Sequence, residues 1–286
     1  MVIAANKLTN ILKKEIKKQI KTLKKKLKLV VFLIGNSPDQ LRSVNLKKKI
    51  AKELGIKFEL VHLKTTPPFE RLIRQIKERA NQPETTGIII QQPLPAQLST
   101  ESIYQSIPPK KEIDGHLRKT PYYPPIGLAV LTILKSIYLK AKKDNLFVTK
   151  KDLSFFKKLF HHKKVVLIGR GQTAGQPIGR TLTEFKINYF SLNSKTANPR
   201  IYLQQADLII SAVGKKVIVP ENLKPGVILI NIGIRKEGKQ IKGDYDDREI
   251  KKVANFYLPA NQGINKGVMP LSVVCLYQNL LQTVKT

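Results

Sequence analysis

The chain has 286 residues, with 52 Lys and Arg against 20 Asp and Glu, and its net charge of +32 raises the question of a polyanionic partner. A hydrophobic content of 42% excludes a disordered basic tail, and a single cysteine, Cys275, excludes a disulfide framework, while no Cys/His cluster suggests zinc. The longest apolar runs, Leu29–Ile34 and Ile88–Ile90, fall far short of the roughly 18–20 residues that span a bilayer, and no targeting segment is visible, so a soluble, cytoplasmic protein of two domains is expected.

The excess charge is spread along the chain: residues 1–143 hold 29 Lys and Arg against 10 acids, and residues 144–286 hold 23 against 10. Only Lys7–Lys28 is dense, with ten Lys and the single acid Glu15. There Leu8, Ile11, Leu12, Ile16, Ile20, Leu23 and Leu27 recur near helical spacing, which predicts one helix with a buried stripe and a lysine-covered face. That face is either solvated or a phosphate-binding patch, and no RNP1-like strand or zinc finger accompanies it.

Lys28–Ile34 reads as a strand, Gly35-Asn36-Ser37-Pro38 as a turn, and the following helix runs to Leu54, where Gly55 ends it. A strand over Phe58–Leu63, a helix over Phe69–Ala80 and a buried strand over Gly87–Ile90 come next. This β-α-β-α-β rhythm predicts a mostly parallel sheet with helices on its faces. A long helix, Gly127–Lys143, leaves the unit, and residues 144–163 form a basic, aromatic connector with helix in Leu153–Phe160. A second rhythm follows: strand Val165–Ile168, a glycine turn, helix Gln176–Glu184, strands in Ile187–Ser191, Ala206–Val213 and Gly226–Ile232, then a last helix over Leu271–Val284. The expected fold class is therefore α/β, with two α/β domains, an N-terminal βαβ unit and a Rossmann-like unit, joined by a long helix.

The glycine turn has the spacing Gly169-x-Gly171-x-x-x-Gly175 between a buried strand and a helix. Such a turn either simply connects the two elements or lets backbone amides approach a pyrophosphate at the helix N-terminus. Arg170 lies inside it, where a guanidinium can pair with a phosphate. After the next strand an NAD site would offer an acid to the ribose; this chain offers Ser194 and Lys195, which suit a 2′-phosphate and hence NADP.

In the helix before Leu54, Val44, Lys47, Ile50, Ala51 and Leu54 share one arc, whereas Lys48, Lys49 and Lys52 point elsewhere. Lys47 either packs its stem and snorkels, or is a partly desolvated amine able to act as acid or base near neutrality. Gln91, at the C-terminal end of a buried strand, either faces water or orients such an amine. Asp114, in Glu112-Ile113-Asp114-Gly115, is a turn carboxylate by default and is also able to grip an amino-pyrimidine edge.

With these residues in register, the chain resembles the bifunctional methylenetetrahydrofolate dehydrogenase/methenyltetrahydrofolate cyclohydrolase family over nearly its whole length. The resemblance is carried by Gly35-x-x-Pro38 with Lys47, by Ile90-Gln91-Gln92-Pro93-Leu94-Pro95, and by Pro109-x-x-x-x-Asp114-Gly115. Gly169-Arg170-Gly171-x-x-x-Gly175-x-Pro177, Ser211-Ala212-Val213-Gly214, Asn231-Ile232-Gly233-Ile234 and Gly243-Asp244 continue it in family order. The resemblance implies NADP-dependent oxidation of 5,10-methylenetetrahydrofolate to the methenyl cation and hydrolysis of that cation to 10-formyltetrahydrofolate. It implies Lys47 and Gln91 as catalytic residues, and Ser43, Lys47, Ile90, Gln91, Gln92, Asp114 and Gly267 as substrate-binding residues. Gly169, Arg170, Gly171, Gly175, Ser194, Lys195, Ile234 and Ser272 would bind NADP. It also implies a homodimer, a folate domain of residues 1–135 with 271–286, and an NADP domain of 136–270.

The chain departs from the family pattern in several places. Ser43 replaces the family's Tyr four residues before the lysine, so ring stacking on the folate and any phenol role are lost. Tyr122-Tyr123-Pro124-Pro125 stands for P-C-T-P, Ser272 stands for Thr, and the loop Leu258–Pro270 is longer and poorer in glycine. The alternatives are a dehydrogenase with weakened or lost cyclohydrolase activity, and a non-catalytic, basic nucleic-acid-binding relative. Beyond nonspecific attraction, a nucleic-acid partner is not expected, nor is a membrane.

Overall fold

The computed structural model describes residues 1–98, 100–117, 119–139, 146–238, 240–259 and 267–285. They form two compact units, one of Ile11–Pro125 with Val273–Thr286, the other of Met1–Asn10 with Ile126–Ser272.

In the first unit, β1 (Lys28–Ile34) is flanked by β2 (Lys57–Leu63) and β3 (Gly87–Ile90) in a parallel sheet of order β2-β1-β3. All seven residues of β1 are buried, as the continuous run KLVVFLI requires of a strand covered on both faces. β2 is the edge, and its half-exposed pattern includes Glu59. Helix α2 (Pro38–Leu54) starts with proline in its first turn and ends at Gly55, which is left-handed at φ 76°. Helix α3 (Phe69–Asn81) buries Leu72, Ile76 and Ala80 against Val30, Phe32, Ile88 and Ile90. Each leucine or isoleucine side chain among these contributes about 1.5–3 kcal/mol by leaving water. A short helix, α4 (Thr100–Gln105), adds Ile103 and Tyr104 to this core.

The second unit holds α5 (Pro125–Tyr138, from Ile126 on), α6 (Leu153–Phe160), and the parallel strands β4 (Val165–Ile168), β5 (Phe190–Leu192), β6 (Leu208–Ser211), β7 (Ile228–Asn231) and β10 (Phe256–Tyr257). Their order is β10-β7-β6-β4-β5. Helices α7 (Gly175–Glu184), α8 (Pro199–Leu203) and α9 (Asp247–Ile250) and the antiparallel hairpin β8 (Arg235–Glu237)–β9 (Gln240–Lys242) complete it. The last helix, α10 (Val268–Gln282), gives residues to both units.

Several sequence expectations are corrected. The basic opening helix, α1, spans Ala5–Lys21 and stops before Leu23; Leu27 is buried as the residue entering β1, and its fit to the helical stripe is coincidental. The long helix ends at Tyr138, and residues 140–145, where the sequence predicts its end and the start of the connector, lie outside the described residues. The strand expected over Ile187–Ser191 begins only at Phe190. The apolar α5 residues Leu128–Leu134 are buried and belong with the second unit, which begins again at Ile126.

Lysines are not confined to outward faces. Lys28 is 4% exposed and pairs with Glu59 at 2.7 Å and Glu84 at 3.2 Å, while Arg79 also reaches Glu59 at 2.6 Å. Lys135 is fully buried and pairs with Asp152 at 2.6 Å, donating as well to the Phe147 carbonyl at 2.9 Å. No helix among the described residues is long and apolar enough to cross a membrane.

Candidate active site

The order β2-β1-β3 sends the chain from the central strand to one side and then to the other, which opens a crevice beyond the carboxyl ends of β1 and β3. Helix α2 leaves β1 there and Gln91 follows β3 there. Midway along α2, the half-buried Lys47 donates from Nζ to Ser43 Oγ at 2.9 Å and to Gln91 Oε1 at 2.9 Å. Gln91 is itself fixed, since its backbone N–H donates to the Phe32 carbonyl at 2.8 Å and its Nε2 to the Gln92 carbonyl at 2.7 Å.

Both direct partners of Lys47 are neutral oxygens, whereas Lys28 and Lys135 face carboxylates. Burial pushes the Lys47 ammonium below the ordinary lysine range, and the charge of Asp114 pulls against that shift. At Lys28 burial also acts downward, but Glu59 and Glu84 outweigh it and the pKa rises. Lys47, held by neutral acceptors, is therefore readier than a solvated lysine to lose its proton.

Asp114 lies on a turn built by its neighbour Glu112, which is fully buried and pairs as an isolated bridge with Ile88. Glu112 accepts from the backbone N–H of Asp114 at 3.0 Å, His116 at 2.9 Å and Leu117 at 3.2 Å. Asn279 of α10 clamps the same segment by donating to the Ile113 and Tyr123 carbonyls at 2.8 and 2.9 Å. The His116 ring Nε2 lies 3.2 Å from Asp114 Oδ2 and its ring stacks on Tyr104 with centroids 4.1 Å apart. Tyr104 donates its hydroxyl to the Ile90 carbonyl and accepts from Gln92 Nε2, both at 3.1 Å.

The two carboxyls titrate apart. Burial disfavours ionised Asp114, yet the His116 hydrogen bond and charge and the Lys47 charge outweigh it and hold its pKa below the ordinary range. Burial, then repulsion from Asp114, raises Glu112 to about 7. Tyr104, Glu112 and His116 escaped the sequence reading; the available signal was Glu112-x-Asp114-x-His116, titratable groups at alternate positions around Gly115. Of the expected substrate residues, Ser43, Lys47, Gln91 and Asp114 are drawn together. Ile90 keeps its side chain in the core, Gln92 is engaged by Tyr104 and the Leu94 N–H, and Gly267 precedes α10 in the other unit. Residues 260–266 of the altered loop lie outside the described residues.

In the second unit the order β10-β7-β6-β4-β5 places its crevice between the ends of β4 and β6. Gly169 follows β4 at φ 103°, and a Cβ there would come 2.7 Å from the Ala212 carbonyl that follows β6. A Cβ on Gly175 would lie 2.2 Å from the Gly169 carbonyl, so the turn closes only with glycine at both places. A Cβ on Gly171 would meet nothing within 4 Å, and no side chain caps the first turn of α7.

Arg170 is tethered to β5, donating from Nε to Ser191 Oγ at 2.9 Å and from its terminal NH2 to the Ser191 carbonyl at 3.0 Å. Ser194 and Lys195 are exposed on the turn just after that strand. Buried Asp244 accepts from Ser211 Oγ and from the backbone N–H of Val213, Gly214 and Lys215, fixing the loop after β6. Ile234 is exposed, with its carbonyl 2.8 Å from where a Gly214 Cβ would stand, and Ser272 is half-buried on α10. Tight glycines, an open approach at Gly171 and a cationic rim fit a dinucleotide phosphate.

Comparison with known proteins agrees with both halves. Residues 3–114 match the tetrahydrofolate dehydrogenase/cyclohydrolase catalytic domain, and residues 153–286 match the NAD(P)-binding domain of the same family. The "Bifunctional protein FolD" of Staphylococcus carnosus is 30% identical over 277 residues, covering 92% of this chain and 89% of that protein. The Staphylococcus aureus protein of the same name is 31% identical over 274 residues, covering 92% and 89%. The crystal structure of the bifunctional FolD methylenetetrahydrofolate dehydrogenase/cyclohydrolase from Campylobacter jejuni superimposes with a TM-score of 0.85 at 27% identity, covering 100% of this chain and 98% of that one. Both parts of the chain thus match domains of one family: the chain belongs to the tetrahydrofolate dehydrogenase/cyclohydrolase family.

Proposed function

We propose that this chain oxidises 5,10-methylenetetrahydrofolate to 5,10-methenyltetrahydrofolate with NADP and hydrolyses the product to 10-formyltetrahydrofolate. The unit of Ile11–Pro125 with Val273–Thr286 holds the folate, and the other unit holds the dinucleotide. The observation that carries the reading is Lys47, half-buried and held by Gln91 and Ser43 with its pKa lowered.

Bound NADP supplies the hydride acceptor. Asp114, held ionised, accepts two hydrogen bonds from the amino-pyrimidine edge of the pteridine and fixes the folate. The cation formed by hydride loss meets a lysine whose proton is readily released, so repulsion between the two positive charges is reduced. In the hydrolytic half, neutral Lys47 takes a proton from the water that adds to the methenyl carbon. The resulting ammonium returns that proton to N5 as the C–N5 bond breaks, and 10-formyltetrahydrofolate leaves with one proton released to solvent. Gln91 orients the amine throughout, and the Ser43 hydroxyl accepts from it in place of a phenol. Glycines 169, 171 and 175 admit the pyrophosphate, while Arg170, Ser194 and Lys195 favour a 2′-phosphate over a bare ribose.

The same proposal includes a homodimer, on the family resemblance, and a reducing cytoplasmic setting, in keeping with a sequence that has a single cysteine, Cys275. Purified chain with methylenetetrahydrofolate and NADP+ is expected to produce NADPH, then lose methenyl absorbance faster than buffer hydrolysis. Methenyl product decaying only at the spontaneous rate would leave a dehydrogenase alone, and no NADPH would refute both activities. NAD+ used as well as NADP+ would remove the 2′-phosphate assignment.

A further inference from the structure

We infer that His116 is a positioning residue that fixes the Asp114 carboxylate for the pteridine, an inference that rests on the reading of Asp114 as the folate anchor. A carboxylate able to take two parallel hydrogen bonds from an amino-pyrimidine edge has to be held in one plane. Asp114 sits on a turn, where its own backbone leaves the side-chain torsions free. The His116 ring supplies the missing constraint: its Nε2 lies 3.2 Å from Oδ2, and the ionised carboxylate makes that nitrogen the donor. Oδ1 and the second lone pair of Oδ2 remain for substrate.

His116 is itself held through its backbone and through its ring. Its backbone N–H donates to Glu112 Oε2 at 2.9 Å, and its ring stacks on Tyr104 at 4.1 Å with an interplanar angle of 17°. Tyr104 is in turn pinned by the Ile90 carbonyl and the Gln92 side chain. Gln92 adjoins Gln91, whose amide oxygen holds Lys47. One continuous set of contacts therefore runs from the partner of the amine to the anchor of the folate, with His116 as its last member. Packing on Tyr104 alone needs no ring nitrogen at the carboxylate.

The test compares His116→Phe, which keeps the stack, with His116→Gln, which keeps a donor at the position of Nε2. Loss of one charge-assisted hydrogen bond predicts that His116→Phe raises the KM for methylenetetrahydrofolate about tenfold or more. The kcat and the KM for NADP+ stay within about twofold, because neither depends on the plane of Asp114. His116→Gln recovers most of the lost affinity, and His116→Phe adds nothing in an Asp114→Asn background. An unchanged KM in His116→Phe, equal impairment by Phe and Gln, or full additivity with Asp114→Asn each overturns the inference. Should His116→Phe not fold, His116→Met replaces it with the same expectations. A parent enzyme without turnover refutes the functional reading and this inference with it; an active parent with an indifferent His116 refutes the inference alone.

Discussion

Lys47 and Gln91, 44 residues apart in sequence, meet at 2.9 Å through an ammonium and an amide oxygen. Among the described residues no carboxylate touches this amine, although Lys28 and Lys135 both have one within 2.7 Å. The contrast shows in titration: the carboxylates beside Lys28 raise its pKa, whereas burial against neutral acceptors lowers that of Lys47.

Lys47→Met removes the amine proposed to carry the proton while keeping the apolar stem. Cyclohydrolase turnover is expected to fall by about 10²–10⁴-fold, the usual contribution of a positioned acid–base group. Hydride transfer needs no proton from the protein, so dehydrogenase kcat is expected to fall far less. Parallel NADPH and methenyl assays check this, and equal losses would remove the lysine from a selective role.

The lowered Lys47 pKa has a definite sign in activity. The neutral amine accumulates as pH rises, and here it does so at a lower pH than for a free lysine. Asp114 opposes that shift, so Asp114→Asn is expected to move Lys47 deprotonation to still lower pH. The pH dependence of Lys47 acylation, read by peptide mass spectrometry, measures this without substrate. A midpoint that moved upward would contradict it.

Glu112 gives a stability prediction. Its carboxyl is raised from 4.5 to about 7, so the folded state holds a proton that the unfolded chain has released. The contribution is fully present below pH 4.5 and is lost as pH rises through about 7, amounting to about 3 kcal/mol at most. Glu112→Gln cannot ionise, so its stability is expected to decline less than the parent's between pH 5 and 8. Urea midpoints of both proteins across that range test the difference, and parallel curves would refute it.

Gly175→Ala places a methyl 2.2 Å from the Gly169 carbonyl, where only backbone can give way. The turn has to open, and the KM for NADP+ is expected to rise at least about tenfold, with the folate KM nearly unchanged. A stability loss of about 1–3 kcal/mol accompanies it. Initial-rate kinetics and thermal melting provide the check; unchanged NADP+ affinity would exclude the turn from the cofactor site.

The sequence showed its long apolar runs plainly. Lys28–Ile34, Gly87–Ile90 and Val165–Ile168 are strands as read, since buried parallel strands are apolar throughout and charges or glycines bound them. Helical spacing also put Lys47 on the inward arc. What spacing could not supply was contact across the fold. His116 and Glu112 become informative only when the turn at Gly115 aims three amides at one carboxylate. Short polar elements such as α8, α9 and the β8–β9 hairpin have too few apolar positions to show a period. Leu23 and Leu27 show the opposite failure, a helical spacing carried past the residue where the chain turns toward the sheet.

The last helix closes the folate unit in a way that concerns the order of synthesis. Tyr277 donates its hydroxyl to the Lys47 carbonyl at 2.7 Å, across 230 residues of sequence, and Asn279 ties down the Ile113 and Tyr123 carbonyls. A growing chain therefore carries Lys47 and Asp114 long before it possesses the residues that brace them. Translation of the residues between, Ile126–Ser272, intervenes, and a polypeptide that stops short of Tyr277 holds both side chains with their scaffold unfinished.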